Sequence, residues 1–142
     1  MSFLGKAGLA VAALGLAAGS VFGAGAANAE TLHAAISFSD EEWAFAYSVN
    51  KPSAEAAADE ALAACDFADC HIWASWANGC GVIVEGDGGA IGVGTGATSR
   101  EAETAAYATL GELEPRALLA NTGSAALSGA HVVKTICTAN AR

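Results

Sequence analysis

The chain has 142 residues, a formal net charge of −9, and 54% apolar against 15% charged residues. That length suits one domain, and the excess of acids argues against a nucleic-acid or anionic-membrane partner, whose phosphates it would repel. Alanine and glycine are abundant and large aliphatics few, so the interior buries little area per residue and crosslinks carry more weight.

In chain order, Lys6 precedes an apolar, glycine-spaced run from Ala7 to Phe22, and the segment closes on Ala27-Asn28-Ala29. This is the pattern of a secretory leader, residues 1–29, cleaved after Ala29. The run is Ala/Gly-rich rather than Leu-rich, which argues against a retained membrane helix, and no second span of that length follows. The predicted organisation is therefore a leader and one secreted domain, residues 30–142, with halves at 33–80 and 81–138. Loss of Lys6 leaves the mature chain one unit more acidic. Four cysteines in a small exported domain predict two disulfides.

Leu32–Phe38 and Ala44–Val49 read as a β-hairpin across the polar turn Ser39-Asp40-Glu41-Glu42, with Phe45, Tyr47 and Val49 on one face. Ser53 is a predicted N-cap, and Glu55 suits the positive end of the helix that follows. Ala57, Ala58, Ala61, Leu62 and Cys65 form its apolar stripe, and alanines demand close approach to whatever they cover. Cys70 opens a strand in which Ile72, Ala74 and Trp76 are expected on one face and His71, Trp73 and Ser75 on the other. Gly81–Glu85 and Ala90–Gly96 form a second hairpin across Gly86-Asp87-Gly88-Gly89, a turn suited to positive φ. Thr98-Ser99-Arg100-Glu101 is a capping box. The stripe of the helix it starts is Ala102, Ala105, Ala106, Thr109, Leu110 and Leu113, and Pro115 marks its end. Residues 114–130 have no clear period and read as loop, with room for a short helix at Arg116–Ala120. His131–Thr138 is a last strand containing Cys137.

The order hairpin, capped alanine helix, strand thus occurs twice, with Ser53 and Ser99 in register. The expected fold is α+β: two pseudo-symmetric repeats forming a mostly antiparallel sheet with both Ala-rich helices on it. Four cysteines allow three pairings. The repeat favours Cys80 with Cys137, at the ends of equivalent strands, and Cys65 with Cys70 across a helix-to-strand turn.

Several weak motifs in fixed order resemble a domain-of-unknown-function family of small secreted actinobacterial proteins, notably mycobacterial ones. They are Ala34-Ala35-Ile36 before Trp43-Ala44-Phe45-Ala46-Tyr47; an alanine helix into Cys65 and Cys70; a Trp-bearing strand ending Asn78-Gly79-Cys80-Gly81; Ile91-Gly92-Val93-Gly94 before a second alanine helix; and a terminal Cys137. The resemblance spans about residues 33–138. Relatives tend to carry a further cysteine pair after the second helix, where this chain has Gly111 and the 114–130 segment. The family implies no catalytic residues.

Chemistry read from the residues is sparse. Cys65-x4-Cys70-His71 is a stretched version of a c-type haem site, for which His33 or His131 would have to be the axial ligand. Zinc at the same residues is disfavoured, because neighbouring strand residues point to opposite faces. Cys80 as a nucleophile with His71 or His131 requires a free thiol. Gly92-Val93-Gly94-Thr95-Gly96 lacks dinucleotide-loop spacing and reads as room for a helix to approach a sheet. Asp87 stands in a Gly-rich turn without an EF-hand pattern. No nucleophile elbow is present. The expectation is therefore no cofactor and no metal. The function expected is a non-catalytic interaction module in the envelope or outside the cell, binding a protein or envelope ligand through Trp43, Trp73 or Trp76. The alternative is a small hydrolase using His71 or His131. The oligomeric state is not legible.

Overall fold

The computed structural model describes residues 30–142; the predicted leader lies outside the described residues. The first half comprises β1 (His33–Ser39), β2 (Ala44–Lys51), α1 (Ala54–Cys65) and β3 (His71–Ala77). The second comprises β4 (Cys80–Gly86), β5 (Ile91–Gly96), α2 (Ser99–Leu113), a 3-10 helix (Pro115–Thr122), α3 (Ala125–Ser128) and β6 (Ala130–Cys137). The segment read as loop is thus two short helices. The 3-10 helix covers Tyr107 and Gly111 on α2 through Ala117 and Leu118, and Thr109 and Leu113 of the expected stripe are exposed.

The fold is α+β, and its two halves share one topology. In each, the strand after the helix returns to pair antiparallel with the first strand of the hairpin. The strands form two three-stranded sheets, ordered β2-β1-β3 and β5-β4-β6, each with its own alanine helix, rather than one sheet beneath both helices. Residue alternation explains the division. On β1, Ala35 packs on Ala57 and Ala61 of α1, while Ile36 joins Ile83 of β4 and Ile136 of β6 in a core between the sheets. On β5, Gly92 and Gly94 lie under α2, while Ile91 and Val93 reach the intersheet core. The layer under α1 is built of alanines, Val82, Val84, Tyr107 and Leu110 join the alanines under α2, and the isoleucines with the indoles of Trp73 and Trp76 fill the space between the sheets.

The local start signals act as expected. Ser53 Oγ accepts from the amide of Ala56 at 3.1 Å. Thr98 caps α2 and closes the expected capping box with Glu101.

One expectation fails on β3. The ladder slips between Ile36↔Ala74 and Ser37↔Ile72, leaving Trp73 as the extra residue of a β-bulge. The bulge resets the alternation, so Ile72 packs on the α1 side and Trp73 joins Trp76 between the sheets. The same slip recurs between Ile83↔Lys134 and Val84↔Val132, with Val133 as the extra residue. An irregularity at matching ladder positions supports the repeat more directly than residue identity does.

Both disulfides form as the repeat favoured, Cys65–Cys70 and Cys80–Cys137. The reason for the second differs. Cys80 opens β4 rather than ending β3, and it lies directly opposite Cys137 in the ladder. The amide of Thr138 donates to the carbonyl of Gly79 at 2.9 Å, just outside the pair. That makes the cysteines a non-hydrogen-bonded pair, the narrow kind, with Cα atoms 4.1 Å apart. In the first half, His33↔Ala77 occupies the matching position.

Candidate functional site

At one end of the first sheet the chain turns from β1 to β2 through residues 40–43, all exposed. A four-residue turn commonly ends on a left-handed residue, a position that favours glycine or asparagine. The turn of the second half is one residue shorter, closed by the Gly86 amide donating to the Ala90 carbonyl, and its left-handed residue is Gly89, with φ +81° and open space around it. In the first half it is Trp43, with φ +54°. Holding an L-residue with a large side chain there costs about 1–2 kcal/mol. The indole is 56% exposed. Its edge rests on Phe38, ring centres 5.4 Å apart, and Phe38 in turn stacks tilted on Trp73 at 4.5 Å. Phe38 itself is only 3% exposed. The arrangement is an aromatic ladder leading from the intersheet core to the surface.

The turn is held from outside by the short disulfide loop. α1 ends at Cys65, and Asp66 takes a left-handed conformation with φ +58°. The Cys65–Cys70 bridge closes the loop and presents Asp69 to the turn. Asp69 Oδ1 accepts from Ser39 Oγ at 2.7 Å, and Oδ2 accepts from the amide of Glu41 at 2.9 Å. Ser39 Oγ also accepts from the amide of Glu42 at 3.1 Å. The Glu41 amide, then the Ser39 hydroxyl, hold the Asp69 carboxyl below its ordinary value. Asp69 did not stand out in the sequence. The available clue was an acid next to a cysteine in a five-residue bridge, which is weak alone.

The three indoles thus have different roles. Trp43 faces solvent. Trp73 is partly buried against Phe38. Trp76 is used for packing: its Nε1 donates to the Gly79 carbonyl at 3.0 Å, and its ring covers Gly81, where a Cβ would sit 2.5 Å from Cη2. Phe67, on the Cys65–Cys70 loop, is a further exposed aromatic at 44%, with no local sequence signal to mark it.

His71 and His131 occupy matching ladder positions, opposite Phe38 and Glu85. His71 Nδ1 lies 3.7 Å from Asp40 Oδ2, and His131 Nε2 lies 3.8 Å from Glu85 Oε2. Both are exposed ion-pair distances on different sheets, so the two imidazoles are not brought into one site. Cys65 and Cys70 are bonded to each other and Cys80 to Cys137, which removes the thiols that haem attachment, zinc binding or a Cys80 nucleophile would need. Asp87 lines a depression of about 240 Å³ with Glu114, Pro115, Arg116 and Ser128. There Glu114 Oε1 accepts from the amide of Gly88 at 3.1 Å, and Arg116 Nη2 donates to the carbonyl of Leu127 at 3.1 Å. Among the described residues, no helix is long and apolar enough to cross a membrane.

Residues 33–137 match the family described as Domain of unknown function (DUF4189), and the chain belongs to that family. No curated protein and no solved structure matches the chain.

Proposed function

We propose that this is an exported, non-catalytic binding module that engages its partner through Trp43 and the aromatic ladder behind it. The carrying observation is Trp43 itself: a 56% exposed indole at the left-handed end of its turn, where the shorter turn of the other half ends on glycine. Neither exposure nor positive φ favours folding, which supports a role for the indole outside the chain beyond its contact with Phe38. Export, with cleavage after Ala29, is supported by the leader pattern and by two disulfides, bonds that persist in oxidising compartments. The actinobacterial, envelope or extracellular setting belongs to the same proposal.

The test is saturable binding of the pure protein to isolated envelope material and to extracellular proteins. Trp43→Gly is expected to abolish binding with the melting temperature unchanged. Undiminished binding by that variant overturns the reading. So does a hydrolytic activity that His71→Ala or His131→Ala removes without lowering the melting temperature.

A further inference from the structure

We infer that the partner of this surface is a basic polypeptide segment, one presenting arginine or lysine side chains. The inference rests on the binding role of Trp43 proposed above and adds the chemistry of the ligand.

The turn that carries Trp43 reads Asp40-Glu41-Glu42, every residue exposed. The loop bonded to it through Asp69 adds Asp66 and the exposed ring of Phe67. None of Lys51, Arg100, Arg116, Lys134 and Arg142, the lysines and arginines of residues 30–142, lies in either segment. Lys51 bonds to Glu60 on α1, and Arg116 bonds to the carbonyl of Leu127. His71, a group of opposite potential charge, lies beside the turn, its Nδ1 3.7 Å from Asp40 Oδ2. The hydrogen bonds to Asp69 favour its charged form, so that carboxylate stays ionised at neutral pH.

Exposed aromatic rings alone would accept many ligands, including sugars. Rings flanked by uncompensated carboxylates select cations, because the ring face attracts positive charge and the carboxylates add to that field. A guanidinium can lie flat on an indole while its edge donates to a carboxylate. This chain shows the elementary contact internally: Lys134 Nζ lies 5.3 Å from the ring centre of Tyr47. Two exposed rings on two joined loops fit an extended segment with several cationic side chains better than a single small cation.

Three probes of equal length test this on the intact disulfide-bonded protein: an arginine–glycine repeat peptide, a glutamate–glycine repeat peptide and a neutral β-linked oligosaccharide. The arginine peptide is expected to quench tryptophan emission. Its affinity is expected to fall at least about tenfold as salt is raised from about 50 to about 500 mM, as screening of exposed charges requires. The triple variant Asp40→Asn, Glu41→Gln, Glu42→Gln is expected to lose about tenfold or more, and Trp43→Ala a similar factor, both with unchanged melting temperature. Equal or tighter binding of the glutamate peptide or the oligosaccharide overturns the inference. So does salt-independent binding, full affinity in the triple variant, or no binding of the arginine peptide. If Trp43→Ala abolishes binding of the oligosaccharide while the triple variant keeps it, the binding module stands and only the cationic partner falls. If the arginine peptide binds Trp43→Ala and wild type alike, both fall.

Discussion

The two halves fold the same chain path with different chemistry beneath their helices. Under α1, the sheet offers serines: Ser37 Oγ donates to the carbonyl of Ala61 at 2.6 Å, and Ser48 Oγ donates to the carbonyl of Ala57 at 2.5 Å. Under α2, the sheet offers bare backbone. A Cβ at Gly94 would lie 2.1 Å from the amide nitrogen of Ala106, and one at Gly92 would lie 2.5 Å from the Ala106 carbonyl. Both solutions answer the same demand, since an alanine face gains burial only when the helix sits close to the sheet. The serine half holds its helix by hydrogen bonds and the glycine half by contact. The hairpin turns differ in the opposite sense: the glycine half relaxes its turn with Gly89, while the serine half strains its turn with Trp43. The half whose helix is pinned by hydrogen bonds is the half that carries the exposed ring.

That contrast can be broken in order of size. Removing Cys80–Cys137, by serine at both positions, is expected to cost about 4 kcal/mol by the loop-entropy relation. Removing Cys65–Cys70 costs about 2, because that bridge closes a much shorter loop. Denaturant unfolding under non-reducing conditions measures both, and equal costs would contradict the dependence on loop length. Gly94→Ala is expected to cost about 3 kcal/mol, since the added carbon meets helix backbone rather than a movable side chain. Ser37→Ala and Ser48→Ala are expected to cost about 1 kcal/mol each, because each lost bond leaves a carbonyl within the helix ladder. A cost for the serines matching that of Gly94→Ala would show that hydrogen bonding and close contact hold the helices equally.

The smaller effects concern the turn. Because the Asp69 carboxyl is held below its ordinary value of 3.8, its anchoring of Ser39 and Glu41 is complete above that value and is lost as pH falls through the lower, folded one. Acid titration followed by the Glu41 amide resonance is expected to show the turn loosening in that window, and Asp69→Asn is expected to remove the transition. Trp43→Gly is expected to change stability by less than about 1 kcal/mol, because relief of the left-handed conformation offsets the lost edge contact with Phe38. A clear stabilisation would strengthen the view that the indole is retained for binding.

The order of elements was legible because its signals are local. Ser53 and Thr98 cap helices with their own hydroxyls. Alternation along Ile91-Gly92-Val93-Gly94 separates a sheet's two faces, and alanine periodicity marks the helix stripes. The favoured disulfide pairing also formed, although Cys80 meets Cys137 as its ladder partner rather than as the end of an equivalent strand. The candidate site was only partly legible. Trp43 was among three indoles, and nothing local distinguished it, because exposure depends on what the rest of the chain covers. Asp69 was invisible for a similar reason: its partners Ser39 and Glu41 are distant in sequence and meet it only after β3 pairs with β1.

By itself, the sequence determined the α+β class, the order of the elements, the helix starts and the short Cys65–Cys70 tie, since these rest on residues that act through neighbours a few positions away. Tertiary structure alone decided that the strands divide into two sheets and that a bulge turns Trp73 inward beside Trp76. It also decided that Trp43 is the ring left in solvent. Those outcomes depend on ladder register and on which surfaces meet, and a single added residue in a strand reverses every side chain beyond it.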